Sequence, residues 1–399
     1  DDNATIKIIA VDSPSTQSSI EMASKAEGLG LKAVNFSKYK HLCCQYIQDA
    51  DIIIDAIFGI GFKGTPADEY CEIIEAINES KAHTVSIDIP SGMESDSGTL
   101  NECFVKANLT ITFASYKLCH LLYPSNELCG KVVVASIGMP DEAFENITPI
   151  LSVVSNKMVT SLLPERNINS HKGTCGTAAL YVGSKSFLGA SVFSVKSCVK
   201  SGVGIANAII PNSIYNVVAA CVPEAIYSVL NDTDSVDHKN SNIVCEQINQ
   251  STAALIGCGL GKSENSKYNC LEVLKNCNVP LVIDADGINL LKDSIDLIKQ
   301  YKSSVIITPH PKEAARLLKT TVDNVLFDRL SSAKELSKLC NAIVVLKGAN
   351  TIISSPDGKD YVVTDGNPGM ATAGTGDVLS GIIVSFLAQG LRAIDATIV

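Results

Sequence analysis

The segment Asn367-Pro368-Gly369-Met370-Ala371-Thr372-Ala373-Gly374-Thr375-Gly376-Asp377-Val378-Leu379-Ser380-Gly381 gathers Gly, Pro and small hydroxyl residues, then runs into an apolar, helix-like stretch, Val378 to Leu391. A Gly-rich turn that opens a helix leaves backbone N–H groups without intrahelical partners and aims them outward, which makes an anion site. Asp377 falls in the first turn, where the helix end stabilises its charge. A carboxylate beside an anion site repels a phosphate. It fits better as a base that takes a proton from a hydroxyl next to the anion. The simpler reading of a bare G-x-G-D is a Gly-rich turn with an N-capping Asp, and the rest of the chain decides between the two.

Similar loops follow other short β-branched runs. Asp55 interrupts the apolar run Ile52 to Ile57 and leads into Phe58-Gly59-Ile60-Gly61-Phe62-Lys63-Gly64-Thr65, a loop that lets a phosphate approach the backbone closely. Asp88-Ile89-Pro90-Ser91-Gly92 puts an acid at a strand end with a hydroxyl just beyond it. Lys117, past the run Leu109 to Phe113, reads alone as a solvated surface charge. Further on come Gly257-Cys258-Gly259-Leu260-Gly261, Asp284-Ala285-Asp286-Gly287, Thr308-Pro309-His310-Pro311-Lys312-Glu313 and Lys347-Gly348-Ala349-Asn350-Thr351. Taken singly, each is a turn or a helix cap, and His310 alone reads as a buried, hydrogen-bonded loop residue.

Strands must carry these loops. Ile6 to Val11, Lys32 to Phe36, Thr84 to Ile89 and Val132 to Ile137 read as strands, and Ser19 to Gly28 and Cys71 to Glu79 as helices. The second half repeats the pattern, with strands at Ala178 to Val182, Asn207 to Ile210, Ala253 to Ile256, Val279 to Ile283, Ser304 to Ile307 and Ala342 to Leu346, and a helix at Ser191 to Gly202. Alternation of this kind predicts parallel sheets with helices on both faces, and such sheets bind ligands at the carboxyl ends of their strands. The aperiodic stretch from 139 to about 155 places a boundary between domains 1–150 and 151–399.

Composition narrows the function. A chain of 399 residues suits two domains. The net charge of −10 argues against nucleic acid as the main partner. No apolar run reaches the roughly 18 residues of a membrane helix. The 14 cysteines are scattered without C-x-x-C pairs, as buried reduced thiols of a cytoplasmic protein would be. The chain starts without Met and stops in a helix-like stretch, so we expect an excerpt of a longer protein, with a mitochondrial location if a targeting segment precedes it.

Two resemblances join these pieces. D-A-x-F-G-x-G, D-I-P-S-G, A-x-L-T-x-T-F-x-x-x-K and G-x-V-x-V-x-x-I-G over most of residues 1–140 resemble the NAD(P)H-hydrate epimerase family, which interconverts the R and S forms of NADHX and NADPHX, nicotinamide cofactors hydrated on the ring. The resemblance implies a Rossmann-like domain. It implies that Asp55 and Ser91 help hold potassium, an ion suited to oxygen ligands. It also implies that Gly59, Ile60, Gly61, Phe62, Lys63, Gly64, Thr65 and Asp88 meet the substrate, with Asp88 as acid/base or orienting group. Two departures stand out: the family's Asn-Asn-Gly-Gly-Asp-Gly phosphate loop does not occur here, and Asn108 replaces a usual Asp. We therefore expect the first domain to lack its N-terminal part.

H-K-G-x-x-G, G-x-G-L-G, D-A-D-x-x-N-L-L, T-P-H-P-x-E-A-x-R-L, L-K-G-x-x-T and the N-P-G-M-A-T-A-G-T-G-D-V-L-S-G segment lie in order over nearly all of residues 160–392. They resemble the ADP/ATP-dependent NAD(P)H-hydrate dehydratase family, which has a ribokinase-like fold. By that resemblance Ala190, Gly259, His310 and Asp377 contact the hydrated nucleotide, and Lys347, Gly348, Ala349, Asn350, Thr351 and Gly376 contact the adenine nucleotide. The family phosphorylates the ring hydroxyl from a nucleotide and then eliminates it. Asp377 would deprotonate that hydroxyl, N–H groups of Ala373 to Gly376 would stabilise the phosphoryl group in transfer, and Mg²⁺ would bridge the nucleotide phosphates. Fused enzymes of this kind use ADP, so ADP rather than ATP is expected, as is assembly into a homo-oligomer. The alternatives are a ribokinase-like kinase for a vitamin precursor or sugar, and a first domain that is only a non-catalytic nucleotide-binding module.

Overall fold

A computed structural model describes residues 4–399, and the chain divides into two compact units between Thr148 and Pro149. In unit 1, β1 (Ile8–Ala10) pairs in parallel with β2 (Ala33–Asn35). A second, all-parallel sheet takes β3 (Ile52–Asp55), β4 (His83–Ile87), β5 (Leu109–Phe113) and β6 (Lys131–Ala135) in simple sequence order. Between the strands run α1 (Gln17–Gly28), α2 (Lys40–Gln48), α3 (Asp68–Glu79) and the single turn α4 (Leu118–Leu121). Phe36, Cys43 and Ile47 pack with Ile73, Ile74 and Ile77 of α3, which presents its apolar positions three and four residues apart, as an amphipathic helix must. Ile52 and Ile54 of β3 lie outside that core and are 63% and 67% exposed.

Unit 2 holds one ten-stranded sheet. Its strands are β7 (Ser152–Val153), β8 (Thr177–Tyr181), β9 (Ile205–Pro211), β10 (Ile226–Leu230), β11 (Ala253–Ile256), β12 (Leu281–Ile283), β13 (Val305–Ile307), β14 (Ile343–Leu346), β15 (Thr351–Ser354) and β16 (Asp360–Val363). The spatial order is β10-β9-β8-β11-β12-β13-β14-β15-β16-β7. Strands β8 to β14 are parallel, while β15 reverses against both β14 and β16. β11 and β12 are buried on both faces, as helices above and below a parallel sheet require. From β8 the chain steps outward to β9 and β10, then returns to lay β11 on the other side of β8. That reversal opens a crevice at the carboxyl ends of β8 and β11.

The helices of unit 2 are α5 (Asn156–Leu162), α6 (Leu188–Lys200), α7 (Asn212–Cys221), α8 (His238–Asn249), α9 (Glu264–Asn276), α10 (Asp286–Leu291), α11 (Ile295–Lys299), α12 (Pro311–Leu318), α13 (Val322–Phe327), α14 (Arg329–Cys340), α15 (Thr375–Ala388) and α16 (Ala393–Ile398). Ile383, Val384 and Leu387 of α15 join Val195 of α6 and Leu180, Ile210, Leu255 and Ile306 of the sheet in one core. α15 lies unusually close to α6, since a Cβ at Gly381 would sit 2.0 Å from Ser197 Oγ and 2.2 Å from Ser194 O. The stretch read as an aperiodic boundary contains β7, which joins unit 2 by pairing with β16. Among the described residues no helix is long and apolar enough to cross a membrane, and all 14 cysteines are free thiols.

Candidate active sites

In unit 2 the Gly-rich exits converge. Gly183 N–H, just past β8, donates to Cys258 O at 2.8 Å, and Lys347 N–H, at the end of β14, donates to Pro309 O at 2.9 Å. At the β8–β11 crevice Ala190 meets Gly259: a Cβ there would lie 2.7 Å from Ala190 Cβ and 2.9 Å from Phe187 O, on a backbone with φ +65°. Only glycine fits both the conformation and the approach.

Asp377 is the third residue of α15. Its N-cap, Gly374, supplies no side chain to the first turn, so the N–H groups there keep the anion-binding character read from the sequence. Opposite stands an ion pair with a buried carboxylate and a partly buried ammonium, which local reasoning did not connect. Lys347 Nζ lies 2.7 Å from Asp284 Oδ1, and Ser380 Oγ, on α15, donates to Asp284 Oδ2 at 2.7 Å. Gly376 passes over this pair, its direction of substitution pointing to Lys347 Nζ at 3.4 Å. Cys258, Asp284 and Asp377 present ligand-type atoms within 4.8 Å of one another, and Cys258 Sγ lies 3.8 Å from Asp284 Oδ2. Burial first, and the charge of Asp284 second, raise the Asp377 carboxyl above its ordinary range; the Cys258 thiol and Lys347 pull it back. Burial holds the Cys258 thiol well above its usual range, so it is neutral and donates. Burial pushes Lys347 down, but Asp284, Glu313 and Cys258 together reverse this, and the net direction is up. Between Asp284 and Asp286, Ala285 adopts φ 49° and ψ −117°, a strained elbow of the kind functional strand exits carry.

His310 is the N-cap of α12 rather than a buried loop histidine, with its side chain 44% exposed. Nδ1 accepts the N–H groups of Lys312 (3.1 Å) and Glu313 (3.4 Å), which assigns the ring proton to Nε2. Burial and then Lys347 lower its pKa, so the ring is neutral and Nε2–H is a donor. Glu313 closes the capping box by accepting from His310 N at 2.9 Å, and burial pushes its carboxyl up to about 7. The loop Lys347 to Thr351 is fixed from α14: Arg329 Nη2 donates to Leu346 O at 3.2 Å and Nη1 to Ala349 O. Lys347 therefore reaches the site through an internal ion pair, and Gly348, Ala349, Asn350 and Thr351 form the turn beyond it.

In unit 1 the β4 exit serves two clusters. Ser91 is buried and turns toward β3: its Oγ donates to Asp55 Oδ1 at 2.5 Å, its N–H to Asp55 Oδ2 at 2.9 Å, and Ser86 Oγ adds a bond to Oδ2 at 2.8 Å. Ser91 Oγ also accepts Phe58 N–H at 2.9 Å, which ties the Gly59–Thr65 loop to the pair. Their oxygens suit a potassium ion by type, but the Asp55 carboxylate is already occupied by these bonds and the two residues hold each other. The loop itself is exposed, and Glu94 takes the Gly64 N–H at 3.0 Å, so an anion at that point competes with a carboxylate.

Asp88 turns the other way, on a non-glycine backbone with φ 68°. Lys117 Nζ sits 2.5 Å from its Oδ1 with a side chain only 16% exposed, which corrects the reading of Lys117 as a solvated surface charge. Residues 114–117 fold back over the end of β5, and three acceptors draw the ammonium inward: Asp88, Thr112 Oγ1 (2.7 Å) and Phe113 O (3.0 Å).

Asp284, Ser380, Glu313 and Cys258 lay inside quoted motifs without an assigned role. The H-P-K-E spacing of a capping box was the readable signal for Glu313. The Asp284–Lys347 pair spans 63 positions and leaves no local signal.

Residues 178–399 match the family described as NAD(P)H-hydrate dehydratase, and residues 2–119 match the family described as YjeF-related protein N-terminus. The chain is 34% identical over 395 residues to the bifunctional NAD(P)H-hydrate repair enzyme of Thermofilum pendens, covering 97% of this chain and 74% of that one. It is 30% identical to the enzyme of the same name from Escherichia coli, covering 88% of this chain and 65% of that one. Among solved structures it resembles the ADP/ATP-dependent NAD(P)H-hydrate dehydratase of Bacillus subtilis co-crystallised with ATP/Mg²⁺, at 28% identity and a TM-score of 0.53, over 62% of this chain and 85% of that one. A ribokinase-like superfamily protein of Enterococcus faecalis matches at 28% identity and a TM-score of 0.56, over 63% of this chain and 86% of that one.

Proposed function

The chain belongs to the family of bifunctional NAD(P)H-hydrate repair enzymes, and from that premise we propose how its residues divide the work. Unit 1 epimerises R- and S-NAD(P)HX; unit 2 dehydrates the S form to NAD(P)H with a nucleotide as phosphoryl donor, for which ADP is our choice. The observation that carries the second step is Asp377, a carboxylate of raised pKa in the first turn of an uncapped helix, facing the Asp284–Lys347 pair.

The ring hydroxyl is a poor leaving group. Asp377 takes its proton, the oxygen attacks the terminal phosphorus, and the nucleotide leaves one phosphate shorter. The first-turn N–H groups of α15 stabilise the charge on the phosphoryl group in transfer. The carbon–oxygen bond then breaks with phosphate as leaving group, the neighbouring ring carbon gives up a proton, and the double bond of the dihydronicotinamide is restored. Ala190 and Gly259 shape the crevice for the hydrated nucleotide, and His310 offers it Nε2–H. Lys347 to Thr351 and Gly376 border the adenine nucleotide. Magnesium supplies charge neutralisation on nucleotide phosphates. The Cys258, Asp284 and Asp377 atoms make no standing magnesium cage, since a thiol is a poor ligand for that ion and Asp284 is engaged by Lys347 and Ser380. The ion fits this site as one carried in on the nucleotide.

In unit 1, Asp88 is the acid/base or orienting group, and the Gly59–Thr65 loop lies along the substrate. The deciding experiment is Asp377→Asn. We expect S-NADHX dehydration to fall by about 10²-fold or more while nucleotide binding, followed by calorimetry, persists. Near-normal turnover by the variant would sink the assignment.

A further inference from the structure

We propose that Lys117 is a positioning residue of the epimerase site, holding Asp88 as an ionised carboxylate in one orientation at the end of β4. The inference rests on the epimerase reading of unit 1 and adds to it the group through which Asp88 is controlled.

The geometry is that of a partly buried, fully used cation. The ammonium of Lys117 has one acceptor for each of its protons: Asp88 Oδ1 at 2.5 Å, Thr112 Oγ1 at 2.7 Å and Phe113 O at 3.0 Å. The two side chains of the ion pair are 16% and 15% exposed, unlike a surface pair, which fixes little. Asp88 Oδ1 also accepts from Thr112 Oγ1 (3.0 Å) and Phe113 N–H (3.2 Å), so these bonds gather on one oxygen and set the plane of the carboxylate. The backbone beneath is strained at two neighbouring exits, with φ 68° at Asp88 after β4 and φ 63° at Ala114 after β5. Strain held at two adjoining strand ends, around one partly buried ion pair, marks a place built for chemistry rather than for packing.

Among the described residues, Lys117 is the charged group that acts on Asp88. On α4, burial first and Lys117 second push His120 down to about 4, so its ring is neutral; Nδ1 accepts Lys117 N–H at 3.1 Å and fixes the start of the turn. Burial holds the neighbouring Cys119 and Cys129 thiols above their usual range and uncharged. From β5 come only the Thr112 hydroxyl and the Phe113 backbone. Burial pushes the Asp88 carboxyl upward, and Lys117, Phe113 N–H and Thr112 together reverse it, leaving a net shift below the ordinary range. Remove the cation and burial is opposed only by the Phe113 N–H and the Thr112 hydroxyl. Asp88 then titrates at a higher pH than in the wild-type chain, and the fraction ionised falls as pH drops through that higher value.

The test uses the full chain. Interconversion of R- and S-NADHX is followed across pH without nucleotide, and dehydration of S-NADHX by the same sample reports on unit 2. For Lys117→Met we expect kcat for epimerisation to fall by about 10²-fold, KM to stay close to wild type, and the acid limb of the pH profile to move to higher pH. Lys117→Arg keeps the cation and is expected to return the limb to its wild-type place. Thr112→Val removes one support while leaving Lys117 in place, and moves the limb in the same direction by less; it carries the test if Lys117→Met does not fold. A folded Lys117→Met with wild-type kcat and pH profile overturns the proposal, as does a loss of rate with the acid limb unmoved in all the variants. A wild-type chain that does not interconvert the epimers overturns instead the epimerase reading on which the proposal stands.

Discussion

Burial and the charge of Asp284 raise the Asp377 carboxyl, while the Cys258 thiol opposes them. The proposed base works only as its carboxylate, so dehydration is expected to fall as pH drops through a pKa lying above the ordinary carboxylate range. Cys258 gives this a separate handle, since its neutral thiol lies beside both carboxylates. Cys258→Ala removes a donor that stabilises the ionised form of Asp377. The acid limb of the dehydration rate is then expected to move to higher pH, and Cys258→Ser, which keeps a donor, to hold it near wild type. A pH–rate profile of kcat/KM for the three proteins decides; an alanine variant whose limb stays in place removes Cys258 from the account. The sequence showed Asp377 and its loop because a Gly-rich turn before an apolar helix is a local pattern. It did not show Cys258, whose role depends on β11 lying beside β12 in space.

α15 delivers Asp377, so its seat on α6 sets where the proposed base stands. A Cβ at Gly381, one turn beyond Asp377, would meet Ser194 O and Ser197 Oγ at distances no side chain tolerates. Gly381→Ala must push the helices apart. We expect a loss of about 1–3 kcal/mol in the stability of unit 2, with kcat lowered more than KM, because the base moves while the nucleotide turn after β14 does not. Denaturant unfolding and steady-state kinetics on the same variant check both parts; an unchanged kcat in a destabilised protein would separate the packing from the chemistry. At this scale the strand exits were legible, since each joins a β-branched run to Gly, Pro or Asp. The edge was not. β15 and β16 reverse direction and draw in the two-residue β7, a pairing set by neighbours distant in sequence. Lys117 was misread for the same reason: nothing local shows that the chain after β5 folds back over Asp88.

Each unit carries a strained strand exit beside an acid, Asp88 itself in one and Ala285 between Asp284 and Asp286 in the other. A dehydratase that accepts one epimer stalls on a mixture unless the other is converted, which gives the fusion its chemical sense. Two chains each broken in one unit should therefore complement each other through the free substrate. Asp88→Asn, given racemic NADHX and nucleotide, is expected to consume only about half of it in the fast phase, the S share that general base catalysis at Asp377 handles. Asp377→Asn alone should interconvert the epimers and form almost no NADH. Mixed, the two chains should carry the fast phase to completion, because the intermediate they share is a diffusible epimer and not a group held on the protein. Following NADH absorbance while the epimers are resolved by chromatography reads all three cases. Full consumption by Asp88→Asn alone would mean that unit 2 takes both epimers, and a mixture that still stops at half would mean that unit 1 does not supply its partner.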